Sequence, residues 1–440
     1  MPTKEKILRP VKRIHGGALL PHYKNTAETE TVVMPPPASV RIPLSQHIGA
    51  PAAPVVKKGD AVFVGTLIAE APSFVSAPIH SSVSGTVVEI EDYPSGGVGA
   101  KCIVIDSDGN MTPDPNLKPF PVVSPENIAE AAKACGLVGL GGAGFPTHVK
   151  LKADGIDTLV VNAAECEPYL TGDYRECMER YDDVINGVYL LKEHLKLDKV
   201  IICVESNKPK AIEKLYQIAT DHRDADDTVK LMQLPSSYPQ GAEKVIIYSA
   251  TGRIVPPGKL PADVGCIVMN ITSVGTLYRF ITTGMPLVAK RITVDGTAVD
   301  EPKNIMVPIG TSIRDLLAFC GEEFPEGARV MMGGPMMGNP VADLDTVIEK
   351  RNNGILVMTE MPEVKQTACI RCGRCAMACP MTLFPAKVEA AYLSNLPERY
   401  EKLNVQYCME CGSCSYVCPA KRPLTQVMRI AKLSLRGKKK

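Results

Sequence analysis

Cys369-x2-Cys372-x2-Cys375-x3-Cys379-Pro380 recurs as Cys408-x2-Cys411-x2-Cys414-x3-Cys418-Pro419. Three thiolates stepped at this interval reach three corners of one cubane [4Fe–4S] cluster from a single tight loop, while the fourth cysteine points away and, where two clusters are present, ligates the other. Cys369, Cys372, Cys375 and Cys418 are therefore assigned to one cluster, and Cys408, Cys411, Cys414 and Cys379 to its partner. A pair of four-cysteine zinc sites would share the Cys-x2-Cys steps. The third step, the proline and the duplication favour iron–sulfur chemistry instead. The chain is expected to carry electrons one at a time.

Working outward, 440 residues are enough for three or four domains at the usual ~100 to 200 residues each. Lys plus Arg (49) nearly balances Asp plus Glu (48), so a net charge of +1 gives no global field for nucleic acid or an anionic membrane. Of 15 cysteines, the seven outside the two phrases (Cys102, Cys135, Cys166, Cys177, Cys203, Cys266 and Cys320) lack ligand spacing and read as small buried hydrophobes. Reduced thiols in this number, with no signal-peptide core between Met1 and Pro10, point to a reducing cytosol. No stretch approaches the ~20 apolar residues of a membrane span, so any membrane association is expected to be peripheral.

The expected fold class is multidomain α/β. Residues 1–110 are rich in short extended runs broken by Pro and Gly, and read as a β domain. Val55-Val56-Lys57-Lys58-Gly59-Asp60 and Ser84-Gly85-Thr86-Val87 are similar to the half-motifs of a lipoyl or biotinyl carrier barrel, but Glu70-Ala71-Pro72-Ser73 stands where a carrier has its attachment lysine. A docking module is the expectation. Five prolines between Asp108 and Val122 mark a linker. Across 120–290, strands at Thr158–Val161, Val200–Val204 and Val229–Leu234 alternate with helices near Ser124–Cys135, Tyr174–Leu191 and Ala211–Ala219, which implies a Rossmann-like parallel sheet with its ligand at the strand C-termini. Residues 291–345, with an Asp295-Gly296 turn and a helix near Ser312–Phe319, resemble the β-grasp domain called SLBB. Residues 360–440 form a helical two-cluster, ferredoxin-like domain. Its last helix carries Leu424, Val427, Met428, Ala431 and Leu435 on one face and ends in Arg436 and Lys438–Lys440. Packing on its own domain is favoured over contact with anionic lipid.

Gly139-Leu140-Gly141-Gly142-Ala143-Gly144-Phe145-Pro146-Thr147 satisfies G-x-G-x-x-G, and Glu165 follows about twenty residues on, as in dinucleotide sites. The segment before the loop reads as a helix where that motif needs a strand, which disfavours an ordinary Rossmann site. Four glycines in six residues still allow close backbone approach, and their N–H groups make an anion cradle suited to a flavin or nucleotide phosphate.

That loop with Lys150, then Asn162-Ala163-Ala164-Glu165-Cys166-Glu167-Pro168, then Tyr238-x2-Gly241-x-Glu243, resembles the flavin-site motifs of the NADH-oxidising subunits of respiratory complex I. With His15-Gly16-Gly17, the Ile42–Pro51 run, the β-grasp segment and the doubled cysteine phrase, the chain is similar throughout to the C subunits of Rnf electron-transport complexes. The resemblance implies FMN held by Gly139, Gly141, Lys150, Asn162, Glu165, Tyr238 and Glu243, and NADH met by Phe145 and Glu167. It leaves open that Lys150 is a solvated loop charge, that Glu165 or Glu243 caps a helix, and that Tyr238 is a packed loop aromatic. Complex I has an arginine at the position of Leu140 and a glutamate at that of Ala242, and one cluster where this chain has motifs for two. Cys166, between two carboxylates, is expected to have a raised thiol pKa and low reactivity.

As the resemblance implies, NADH would give a hydride to FMN and single electrons would pass to two [4Fe–4S] clusters, or the reverse. The setting would be a membrane Rnf ferredoxin:NAD oxidoreductase coupled to Na+ or H+ translocation. The protein would lie peripherally on the cytoplasmic face with other Rnf subunits as partners, meet ferredoxin indirectly and bind no nucleic acid. Alternatives are a soluble cobalamin (corrin) reductase and a non-enzymatic iron–sulfur wiring module.

Overall fold

A computed structural model describes residues 7–221, 223, 226–321, 327–359 and 364–436. Lys438–Lys440 lie outside them. Alternation along the strands builds the central unit. Leu159, Val161, Val200 and Ile202 point to one face and pack with Ile128, Val184, Val188, Leu191 and Leu215, while Val160, Ile201 and Cys203 point to the other and meet Ile246, Ile247 and Ala250. Strands buried on both faces read as continuous apolar runs, as parallel sheets require.

The parallel strands lie in the order Ile7–Leu8, Val229–Leu234, Lys199–Glu205, Thr158–Ala163, Cys266–Asn270. From Thr158–Ala163 the chain winds outward through two neighbours, then returns to place Cys266–Asn270 on the opposite side. That reversal opens a crevice at the C-terminal ends of these two strands, the usual ligand position in such sheets. The segment before the glycine loop is the helix Pro125–Ala134.

The single long helix expected from Tyr174 to Leu191 is instead two, Gly172–Glu179 and Tyr181–Leu195, with Arg180 between them at φ −122°, ψ 32°. The first helix turns its acids toward another domain. Arg291 donates to Glu176 at 2.5 Å and to Glu179 at 3.0 Å, and Arg279 donates to Glu176 at 3.1 Å. Hydrophobic periodicity runs through the break because both helices bury the same face, so the pattern alone does not register it.

In the first domain, a four-stranded sheet (Ser39–Pro43, Lys101–Ser107, Gly85–Asp92, Ala61–Val62) faces a three-stranded one (Ala53–Pro54, Leu67–Glu70, Ile79–His80) across Val40, Ile42, Ile68, Ile103 and Ile105. The hairpin tip that carries the arm in carrier domains is docked on the flavin-like unit. The Phe74 carbonyl lies 3.0 Å from His148 Nε2, and Lys152 Nζ stands 5.9 Å from the Phe74 ring centroid.

The β-grasp sheet runs Asn339–Pro340, Arg329–Met332, Gly354–Met358, Ala289–Asp295, Lys303–Pro308, Val32–Val33, with the helix Ile313–Phe319 on one face. Two of its strands fall outside 291–345, because closing the sheet needs backbone partners from both sides in sequence. The N-terminal 7–34 stretch likewise belongs to no barrel: Ile7–Leu8 edges the parallel sheet, and Val32–Val33 the β-grasp sheet. In the last domain Leu424, Val427, Met428, Ala431 and Leu435 are all buried, so the terminal helix packs on its own domain.

Glu176 is buried with its two arginines. Burial alone would raise its pKa, but Arg279 and Arg291 hold it below the ordinary carboxylate value. The pair therefore stabilises the fold above that value and the contribution fades as pH falls through the depressed one. Arg291→Ala leaves a buried carboxylate with one partner and is expected to cost about 3–5 kcal/mol, read as a lowered thermal midpoint at neutral pH and a smaller loss in acid.

Candidate functional site

Asn162 ends one crevice strand. Its Nδ2 donates to the Gly241 carbonyl at 2.8 Å and its Oδ1 accepts the Ala164 N–H at 3.0 Å. Asn270 ends the other, donating to Asp173 at 2.7 Å and capping the next helix through the Thr272 N–H at 2.9 Å. The glycine loop closes over them. Val138 and Pro146 form an isolated bridge, and the Gly139 N–H donates to the Phe145 carbonyl at 2.9 Å. A methyl group at Gly141 would stand 3.1 Å from Asn270 Nδ2, and one at Gly142 would meet nothing within 4 Å.

Gly141, Gly142 and Ala143 are exposed, and no hydrogen bond among the described residues uses their N–H groups. Free backbone donors over a strand-end crevice suit a phosphate, so the residues present fit the FMN that the motifs imply. Lys150 reaches the same strand end, donating to Glu243 Oε1 at 2.6 Å and to the Val268 carbonyl at 3.4 Å. Its ammonium is paired, rather than a solvated loop charge. Phe145 is partly exposed at the end of the loop.

Glu165 and Glu167 face elsewhere. The Glu165 carboxylate accepts the N–H groups of Asp173 at 2.9 Å and Tyr174 at 3.3 Å, in the first turn of Gly172–Glu179. This is a helix cap. Burial, then the Glu165 charge, pushes neighbouring Asp173 up to about 6. Glu167, expected to meet NADH, accepts the N–H groups of Met336 at 3.1 Å and Met337 at 3.0 Å from the β-grasp domain, with the Tyr238 hydroxyl 3.5 Å away. Burial raises its pKa and the two amides oppose the rise. Burial first, then the charge of Glu205, pushes Cys166 up to about 12. The expected direction holds, with burial rather than neighbouring charge as the main cause.

Lys24 is a site residue that motif reading misses. Its buried Nζ donates to the carbonyls of Glu165 (2.9 Å), Glu167 (2.8 Å) and Leu170 (2.5 Å), tying down the loop after the strand. It lies more than 140 residues from these partners, in a segment without periodicity, so no local signal marks it. Asp173 and Asn270 are also missed, because their pairing joins a helix start and a strand end that are 97 residues apart.

In the cluster domain, Cys379 from the first phrase lines one pocket with Cys408, Cys411 and Cys414 from the second. Its other walls include Pro380, Met381, Leu383, Pro385 and Met428. Backbone N–H groups already point at two of the sulfurs, Leu383 to Cys379 and Glu410 to Cys408, each at 3.3 Å. Four sulfurs with N–H donors in an apolar pocket suit an anionic cluster. Of the other set, Cys369 and Cys372 are exposed, Cys375 is buried and Cys418 lines an open groove.

Pocket and crevice share their supports. The Gly17 N–H donates to the Ala378 carbonyl at 2.9 Å, next to Cys379. Ala18 and Tyr238 exchange backbone hydrogen bonds at 2.7 and 2.9 Å. A methyl group at Gly412, between Cys411 and Cys414, would stand 2.9 Å from the Met336 carbonyl, adjoining the loop that binds Glu167. Glu167→Gln removes a charged acceptor shared by two amides, a loss of about 1.5–3 kcal/mol. Hydrogen exchange at Met336 and Met337 is therefore expected to accelerate at least about tenfold, with iron content unchanged.

Comparison with known proteins agrees with this architecture. Residues 12–110 match the RnfC barrel sandwich hybrid domain, 132–279 the Nuo51 FMN-binding domain, 291–340 the SLBB domain and 361–419 a 4Fe-4S dicluster domain. A chain of NAD+-reducing [NiFe]-hydrogenase in the air-oxidized state shares the fold at TM-score 0.50 and 18% identity, over 71% of this chain and 61% of that one. The chain is 41% identical to the C subunit of the Na(+)-translocating ferredoxin:NAD(+) oxidoreductase complex of Acetobacterium woodii, over 95% of this chain and 97% of that protein. It is 44% identical to the C subunit of the proton-translocating ferredoxin:NAD(+) oxidoreductase complex of Clostridium ljungdahlii, over 93% and 91%. On this similarity, it belongs to the family of C subunits of Rnf-type ion-translocating oxidoreductase complexes.

Proposed function

We propose that this chain is the NAD(H)-linked electron-transfer subunit of a membrane ferredoxin:NAD oxidoreductase complex, lying peripherally on the cytoplasmic face. The observation that carries this reading is the shared support of the flavin-type crevice and the Cys379–Cys408–Cys411–Cys414 pocket by Gly17, Ala18 and Tyr238. Among the described residues no helix is long and apolar enough to cross a membrane, so Na+ or H+ translocation falls to partner subunits.

In this reading FMN occupies the crevice, and bound there it exchanges electron pairs with NAD(H) and single electrons with the clusters. Gly139 and Gly141 bring bare backbone against it and the loop N–H groups hold its phosphate. Lys150 places a positive charge where a reduced flavin gains negative charge, with Glu243 orienting the ammonium. Asn162 and Tyr238 wall the site. Glu165 acts one step back, fixing the N-terminus of the helix that carries Asp173. Phe145 offers its ring to the nucleotide on the open side. Glu167 holds the β-grasp loop against the same wall. The units proposed are 1–110, 120–290, 291–345 and 360–440, with the 7–34 strap running along their interfaces and the strand Gly354–Met358 joining the β-grasp sheet.

Anaerobic addition of NADH to the holoprotein is expected to bleach bound flavin and give reduced-cluster EPR signals. A protein without flavin whose clusters stay oxidised would be a wiring module. Lys150→Ala removes one charge-assisted contact and is expected to weaken FMN retention by about 10- to 100-fold, measured by flavin fluorescence after dialysis, with iron content intact. Cys379→Ser is expected to damage the cluster built mainly from the second cysteine phrase; selective loss of the other would refute the crossed pairing.

A further inference from the structure

Next to the crevice stands a carboxyl group to which the electron-transfer reading gives no task. Asp173 Oδ2 accepts from Asn270 Nδ2 at 2.7 Å, and its Oδ1 accepts from the Thr272 hydroxyl at 3.0 Å. The same Asn270 nitrogen would lie 3.1 Å from a methyl group at Gly141, so one carboxamide separates the carboxyl group from the glycine loop. Asp173, Asn270 and Thr272 are each only partly buried. A hydroxyl both donates and accepts, so Thr272 can pass a proton between solvent and Asp173.

The groups packed around Asp173 make it sensitive to added charge. From the loop after the central strand, the Glu165 carboxylate accepts the Asp173 N–H at 2.9 Å. From the β-grasp strand comes buried Lys290, which donates to Asn353 Oδ1 at 3.2 Å. On the same helix as Asp173, Glu176 is matched by Arg279 and Arg291, and the buried Cys177 thiol is pushed up by burial, then by Asp173, and keeps its proton. Behind Glu165, Lys24 and Lys208 are held at its carbonyl, with Lys208 paired to Glu205 at 2.6 Å. The contacts of the Asp173 and Glu165 carboxyl groups are thus amides and a hydroxyl, whereas Glu176 meets two guanidinium groups. Burial and the Glu165 charge already bring Asp173 up to about 6, against Lys290 and its two hydrogen bonds. A further negative charge across Asn270 raises it again, because like charge favours the neutral acid.

We infer that Asp173 is the proton-holding residue of the crevice: its carboxylate takes up one proton when the site gains negative charge and releases it when that charge leaves. The inference rests on the electron-transfer reading above, with FMN in the crevice. A hydride brings two electrons and one proton, so the site gains one negative charge. A proton drawn from solvent through the Thr272 hydroxyl onto Asp173 Oδ1 cancels that charge. When the two electrons depart singly to the clusters, the hydride's proton and the Asp173 proton both return to solution, and charge and atoms balance. The opposite current runs the same steps backward. Neutralising the site lowers the cost of holding electrons where solvent is partly excluded.

The test compares FMN-loaded holoprotein with its Asp173→Asn variant. The amide keeps both contacts, since its oxygen accepts from Asn270 and the Thr272 hydroxyl turns to accept from its nitrogen. Below about 6 the wild-type carboxyl group holds its proton in both redox states, so the two flavin midpoint curves run parallel there. At higher pH the wild type is expected to take up one more proton per two electrons than the variant, a tenfold change per pH unit equal to about 30 mV. The variant's potential then lies above the wild type's. Infrared redox difference spectra of the wild type are expected to gain a carboxylic acid C=O band on reduction, shifted by D2O and by carboxyl-labelled aspartate, and missing in the variant. If Asp173→Asn loses FMN, the labelled wild-type spectra carry the test. Midpoint curves that stay parallel at every pH, or labelled wild-type spectra without the band, overturn the proposal. A wild-type protein that retains no FMN refutes the electron-transfer reading and this inference together. Flavin that is bound and reduced by NADH with no extra proton refutes the role of Asp173 alone.

Discussion

The reciprocal backbone hydrogen bonds between Ala18 and Tyr238, extended by the Gly17 N–H to the Ala378 carbonyl, join three parts of the molecule that are far apart in sequence. Their geometry depends on two glycines. Gly16 and Gly17 have φ values of +72° and +90°, and a methyl group would stand 2.8 Å from Ala378 at the first and 2.6 Å from Tyr238 at the second. Side chains rarely adopt that backbone conformation and the space is already filled, so only glycine lets the strap pass between the flavin-type crevice and the cluster domain.

From that strap the other restraints follow in sequence order. Ile7–Leu8 anchors it to the edge of the parallel sheet, Lys24 clamps the loop after the central strand through three carbonyls, and Val32–Val33 enters the β-grasp sheet. A segment with almost no core of its own is therefore ordered by hydrogen bonds to the flavin-type unit, the β-grasp domain and the cluster domain. The barrel is held differently. Lys350, fully buried, donates to the carbonyls of Pro78 and Gly136 at 2.7 and 2.8 Å, joining barrel and flavin-type unit with no carboxylate partner among the described residues. Burial accordingly pulls its pKa down to about 8.

These contacts suit an electron-transfer protein. Transfer between a flavin and clusters needs fixed separations, and polar clamps at interfaces fix orientation where a purely apolar interface would permit sliding. The two cysteine sets also differ in setting: the four-cysteine pocket adjoins the β-grasp loop through Gly412, whereas Cys369 and Cys372 of the other set are exposed and Cys418 lines an open groove rimmed by the strap.

Much of this was legible in the sequence because its causes are local. Cysteine spacing sets which sulfurs a loop can bring to one cluster, and Cys379 does line the pocket of the second phrase. Alternating apolar runs set the strands, and the glycine loop announced close backbone approach. What the sequence did not reveal is where polar side chains point. Glu165 and Glu167 look alike around Cys166, yet one caps a helix and the other reaches into the next domain. The helix break at Arg180, the β-grasp strands beyond residue 345 and the role of Lys24 were hidden likewise. Spacing and periodicity determined the elements and the cofactor chemistry, because those depend on covalent reach along a few residues. Tertiary structure alone decided the partners of Lys24, Glu167, Glu176 and Lys350, because these are met by carbonyls, amides and guanidinium groups a hundred or more residues away.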